Sequence, residues 1–275
     1  MPTARHGDVE VHWLRAGDPA GEPVLLIMGL SGSHRDWHRL LPHIEDCDVV
    51  LFDNRGTGMS SPVGGLLSMA DMVRDAVAVL DAAGLPAAHV HGTSMGGMIA
   101  QHLALTHRER VRSLVLSATT PGGMLDKPPW RMLAATALRP LLGSKRTWPM
   151  VAPMVYSERT RLGAPERVKQ DLRIRSEHAT VAKTTFAQMA AIARHDTRKR
   201  LHELAGIPAT VIHGDLDLLV PPSHGRALGE SIPGARFVLL EGSAHILTTD
   251  DEHGLAAAMR DHLQRAVDHE RSAVT

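Results

Sequence analysis

Apolar positions in the first half of the chain follow two alternating rhythms. Val9 to Arg15 switches between apolar and polar side chains, as an edge strand with one wet face does, whereas Pro23 to Met28 is a continuous apolar run suited to burial on both faces of a parallel sheet. Helical spacing then covers Asp36 to Ile44, a strand-like run covers Asp48 to Asp53, and a second helical stretch runs from Ser68 to Ala83 with a serine placed to cap it. Ala87 to His91 reads as a short strand behind Gly84 and Pro86, Met98 to Leu105 keeps helical period, and Val111 to Ser117 is another apolar strand. This alternation predicts the α/β class, with a mostly parallel central sheet flanked by helices.

The rhythm breaks after Thr120. Pro121-Gly122-Gly123 and Pro128-Pro129-Trp130 lead into Met- and Ala-rich helical segments, and strand-like runs return only with Ala209 to Gly214. A helix at Ser223 to Ser231, a strand at Arg236 to Glu241 and a closing helix from Asp251 to Val267 complete the pattern. The expectation is a core built from residues 1–120 and 201–275, carrying an all-helical insertion over 121–200.

Composition narrows the classes. The 275 residues with 43% hydrophobic content are enough for one large domain with a sizeable core. Thirty basic residues balance thirty acidic ones, so charge gives no argument for nucleic acid or an anionic membrane as partner. Cys47 is the single cysteine and rules out an internal disulfide. The opening residues lack the apolar stretch of a signal peptide and no apolar run has membrane-spanning length, so the expected location is cytoplasmic. Oligomeric state is left open.

Candidate chemistry centres on Gly92-Thr93-Ser94-Met95-Gly96-Gly97, a Gly-x-Ser-x-Gly run between a strand and a helix. Such a turn lifts the Ser94 hydroxyl above the carboxyl edge of the sheet, and flanking glycines let strand and helix close around it. A serine hydroxyl is a weak nucleophile without a base and a group that orients the base. Two later strand ends supply them: His213-Gly214-Asp215-Leu216-Asp217 offers two carboxylates, and Glu241-Gly242-Ser243-Ala244-His245 offers an imidazole. The order serine, acid, histidine and the position at strand carboxyl ends suit an open α/β sheet. The residue after the serine, Met95, would give one backbone N–H to an oxyanion.

On these motifs the chain resembles the α/β-hydrolase superfamily over nearly its whole length, serine esterases of the aclacinomycin methylesterase and enol-lactonase type in particular. The resemblance implies an α/β-hydrolase fold whose insertion forms a helical cap. It assigns the acid to Asp217 through the pattern Gly214-x-x-Asp217, and the second oxyanion donor to Leu30 in the loop Met28-Gly29-Leu30-Ser31. Met28 stands where the family usually has histidine, which makes the pocket floor more apolar. Phe52-Asp53-Asn54-Arg55-Gly56-Thr57-Gly58-Met59-Ser60 resembles the family's Asp-x-Arg-Gly-x-Gly-x-Ser turn and is read as structural bracing.

The function so implied is hydrolysis of a small-molecule carboxylic ester or lactone by Ser94, His245 and Asp217 through an acyl-enzyme, with no cofactor and no metal. Alternatives on the same frame are a carbon-carbon bond hydrolase, a cofactor-free perhydrolase, a cyclase or lyase, and a non-catalytic ligand-binding member. Met28, Trp130, Trp148, Met154 and Tyr156 are expected to line a pocket for a hydrophobic substrate, part of an apolar inventory that also includes Phe186 and Met189. Arg131, Arg139, Arg173 and Arg175 are expected at the solvated surface. His34 and His38 are read as a solvated helix face, His89 and His91 as buried neutral rings bonded to backbone, and His213 as a neighbour of the site.

Overall fold

The computed structural model describes residues 2–122 and 130–274. One eight-stranded sheet organises them: β1 (Thr3–His6), β2 (Val9–Gly17), β3 (Pro23–Ile27), β4 (Asp48–Phe52), β5 (Ala88–Thr93), β6 (Val111–Ser117), β7 (Ala209–Gly214) and β8 (Arg236–Leu240), in the order β1-β2-β4-β3-β5-β6-β7-β8. The pairs β1/β2 and β2/β4 are antiparallel and the others parallel. β2 is therefore not the edge. Its first half pairs with β1 (Ala4 opposite Val11) and its second half with β4 (Trp13 opposite Phe52), while short, polar β1 takes the outer position.

Helices α1 (Met69–Ala82), α2 (Met95–Thr106), α3 (Trp130–Val155), α4 (Pro165–Glu177), α5 (Ala182–Ala193), α6 (Pro222–Ser231), α7 (Leu247–Asp250) and α8 (Glu252–Val274) complete the order. Alternation along β3 sends Leu25 and Ile27 into a core with α1, α2 and α6, and Val24 and Leu26 into a second core with Trp37, Ile44 and Met259 of α8. Full burial of such side chains is worth roughly 1.5–3 kcal/mol each, so both sheet faces contribute to holding the central strands in place. Ser68 caps α1 in a capping box with Asp71, as its position in the sequence suggests.

The helix expected over Asp36 to Ile44 is instead two 3-10 turns, His34–Trp37 and Leu41–His43. Pro42 brings no N–H and disfavours a helical Leu41, which stops a continuous helix. Between the neighbouring strands β6 and β7 the chain detours through α3, a π turn at Arg159–Gly163, α4 and α5. An isolated antiparallel bridge between Gly122 and Asp196 brings the two ends of this insert together. No helix among the described residues is long and apolar enough to cross a membrane.

Candidate active site

Ser94 sits between β5 and α2 with φ 55° and ψ −120°, in the left-handed half of backbone space. A non-glycine residue holds that conformation only when its surroundings enforce it. They do so here: Ser94 N–H donates to Ser117 O at 2.8 Å, Thr119 Oγ1 donates to Ser94 O at 2.7 Å, and Gly97 N–H reaches the same carbonyl at 2.9 Å. The turn is also tightly packed. An added Cβ at Gly92 would strike the Gly96 carbonyl, and one at Gly96 would strike the carbonyl of Ile27 in β3.

Three expected side chains converge at this turn. His245 Nε2 lies 3.0 Å from Ser94 Oγ, and His245 Nδ1 lies 2.7 Å from Asp217 Oδ2. Asp217 Oδ1 accepts the N–H groups of Leu219 and Val220, both at 2.9 Å, and His213 Nε2 sits 3.3 Å from Oδ2 while contacting Val220 O at 2.9 Å. Burial pushes the Asp217 carboxyl pKa up, but the His245 charge and hydrogen bonds from His213 and His245 outweigh it and bring it down to about 2. An ionised carboxylate on Nδ1 fixes the proton there and leaves Nε2 to accept from the serine hydroxyl. Asp215 lies apart, accepting Ser243 N–H at 3.3 Å.

The loop carrying His245 is held from both sides. Ala244 N–H donates to Asp250 Oδ2 at 2.7 Å, and Ile246 N–H donates to Val155 O of α3 at 2.9 Å. Asp250 also accepts Ser157 N–H at 2.9 Å, so one buried carboxylate ties the histidine loop to the insert. Sequence reasoning missed Asp250, which had only its nearness to His245 to mark it.

Leu30 and Met95 flank the serine from two elements, the loop after β3 and the first turn of α2. Among the described residues, neither backbone N–H has a hydrogen-bond partner. Asn54 Nδ2 donates to Met28 O at 2.8 Å and Ser31 N–H donates to Gln188 Oε1 at 2.9 Å, which braces the Leu30 loop from the core and from α5. Beside Ser94 and His245 opens a cavity of about 720 Å³ walled by Met28, Leu30, Trp148, Val151, Phe186 and Met189. Met154 and Tyr156, expected there, do not line it. They join the cluster between insert and core, and the Tyr156 hydroxyl donates to Asp171 Oδ2 at 2.9 Å. The side chains of Trp130 and Arg139 lie outside the described residues.

Residues 22–251 match the alpha/beta hydrolase fold family. The chain belongs to that family. It is 33% identical to the rhodomycin D methylesterase DauP of Streptomyces sp. (strain C5), covering 91% of this chain and 93% of that one. It is 31% identical to RutD of Azorhizobium caulinodans, provisionally assigned as a carbamate hydrolase, covering 89% and 91%. The solved enol-lactonase of Burkholderia xenovorans LB400 superposes with a TM-score of 0.84 at 24% identity, covering 96% of this chain and 100% of that one.

Other expectations about this α/β-hydrolase chain need correction. His34 is not on a solvated face: its Nδ1 lies 2.9 Å from Asp53 Oδ1, and with His12 these residues form a buried group whose ligand-type atoms lie within 4.8 Å. Asp53 also accepts backbone N–H groups from His34 (2.8 Å) and Met59 (2.9 Å), a bracing role that matches the reading of the 52–60 turn. His89 and His91 are buried, but they bond to the hydroxyls of Ser113 and Ser117, both at 2.7 Å, rather than to backbone. Arg175 is half-buried rather than free at the surface; it pairs with Asp36 and lines the cavity.

Proposed function

We propose that this protein is a serine hydrolase of hydrophobic small-molecule esters or lactones. The observation that carries the reading is the hydrogen-bonded chain Ser94 to His245 to Asp217, at 3.0 and 2.7 Å, facing a cavity with mostly apolar walls. His245 Nε2 takes the Ser94 proton as Oγ attacks the acyl carbon, and the carbonyl oxygen becomes an oxyanion received by the N–H groups of Leu30 and Met95. Collapse of the tetrahedral adduct breaks the bond to the alkoxy oxygen, which leaves with the proton held by His245. Water, deprotonated by the same imidazole, then releases the acid and restores the Ser94 hydroxyl. Asp217, ionised well below neutral pH, keeps the imidazole in the required tautomer.

The methylesterase relative supports an ester substrate, and the carbamate hydrolase relative makes a carbamate the natural competitor in a substrate panel. A fluorophosphonate probe should label Ser94, and Ser94→Ala should abolish labelling and reduce ester turnover by several orders of magnitude. Labelling elsewhere, or Ser94→Ala turnover within about tenfold of wild type, overturns the reading.

A further inference from the structure

The cavity walls are mostly apolar, with polar side chains at Ser94 and His245, at Thr120, Arg194, His195 and Asp196, and at the pair of Asp36 and Arg175. Arg175 of α4 reaches across to the 3-10 turn His34–Trp37, where its Nε donates to Asp36 Oδ1 at 2.6 Å, and both side chains line the same cavity as Ser94 and His245. The second oxygen of Asp36 is occupied by the Ser33 N–H at 2.8 Å. Asp36 thus engages the guanidinium only through Nε. Among the described residues Nη1 and Nη2 have no hydrogen-bond partner, and the Arg175 side chain keeps 31% of its accessible surface against 8% for Asp36. Two forked donors are left without a protein partner and open to the cavity, free to meet water or a ligand oxygen.

An ion pair serving only to fasten α4 to the core would favour a two-pronged grip, since the guanidinium fork matches a carboxylate. Here one prong is used. The charge, however, is already balanced by Asp36, and the neighbouring carboxylate Asp171 is matched by Arg39 at 3.2 Å. A substrate carboxylate would therefore bring a net negative charge into a low-polarity cavity beside Asp36. A neutral oxygen meets the free donors without that penalty.

We infer that Arg175 is a specificity residue, donating from Nη1 and Nη2 to a neutral carbonyl oxygen on the part of the substrate remote from the scissile ester. The inference rests on the hydrolase reading and narrows its substrate class to keto-bearing hydrophobic esters.

The test is a series of methyl keto esters starting at methyl levulinate, with the ketone moved outward one carbon at a time. Each is paired with its branched hydrocarbon isostere and with the half ester carrying a carboxylate at that position. At the best chain length the keto ester should exceed its isostere in kcat/KM by about tenfold or more, mainly through KM. Arg175→Met should bring that ratio close to one, with Arg175→Lys between. Asp36→Asn, which removes the balancing charge but keeps an acceptor for Nε, should shift preference toward the half ester, and it decides the matter if Arg175→Met does not fold. An unchanged ratio in Arg175→Met, an equal loss on both members of a pair, no shift in Asp36→Asn, or a wild-type preference for the half ester overturns the inference. Ser94 labelling separates the two levels: labelled protein with no Arg175-dependent preference sinks this inference alone, and unlabelled protein inactive on all esters sinks the hydrolase reading with it.

Discussion

The sheet core and the helical insert solve different problems with different materials. In the core, Ser94, Asp217 and His245 each follow a strand end, so strand pairing fixes their spacing, and close backbone contacts such as Gly96 against Ile27 leave little freedom. The insert touches the site through small sets of hydrogen bonds: Val155 O and the Ser157–Asp250 tie on the histidine loop, Gln188, Thr185 and Thr180 at Ser31 beside Leu30, and Arg175 on Asp36. Core geometry is over-determined, whereas the insert shapes the cavity through contacts that can change one at a time. On the proposed hydrolase reading, this separates the chemistry from the choice of substrate.

The sharpest way to break this comparison is to disable the core. Ser94→Ala or Asp217→Asn should lower ester kcat by about 10^4-fold, with the melting temperature little changed for Ser94→Ala, and a loss below tenfold would contradict the assignment. Acid should come next. Burial lowers the pKa of His91 and His262 to about 3 and of His195 to about 4, from an ordinary 6.5, so the folded chain keeps these rings neutral where the unfolded chain protonates them. Stability is then full above about 6.5 and is lost as pH falls, by roughly 1 kcal/mol per pH unit for each ring, until the folded values are reached. Asp217 works in the same direction but only below its ordinary 3.8. Urea unfolding between pH 7 and pH 5 measures the slope, and a flat profile would show these rings to be charged or solvated.

Gly96→Ala should cost about 3 kcal/mol or more in urea unfolding, because the new methyl has no space and the nearest atoms are backbone. A neutral result there would mean that the core is less constrained than argued. Trp148→Ala on the insert should instead raise KM about tenfold with a smaller change in kcat, the pattern of lost binding surface. An effect confined to kcat would blur the division between the two regions.

Legibility in the sequence follows the same line. Strands buried on both faces are continuous apolar runs, which makes β3 and β4 legible directly, while the exposed edge strand β8 shows as the apolar run from Phe237 to Leu240 and α1 shows by its Ser68 cap. β1 is four residues long and carries Arg5 and His6, so it has no hydrophobic signature, and the alternation of β2 reads as the edge in its place. The Leu41–His43 turn interrupts the expected helix at Pro42, whose effect outweighs the helical spacing around it. Motif spacing brought out Ser94, Asp217 and His245 because strand-end chemistry leaves a local mark. Asp36, Arg175 and Asp250 leave none, since each acquires its meaning from a partner distant in the chain or from a packed loop. Apolar content alone could not tell Trp148, which lines the cavity, from Tyr156, which is buried beside it with its hydroxyl on Asp171.

The bridge between Gly122 and Asp196 gives the insert a single shared doorway into the sheet, set between adjacent strands β6 and β7. A segment that leaves and re-enters at one point transmits little strain to its host, so its length and composition are free to vary while the frame stays intact. The doorway is thus a natural splice site: exchanging the stretch between these residues for that of another member of the family should graft a new cavity wall onto the same strand-end triad, provided the graft supplies its own ties to the His245 and Leu30 loops.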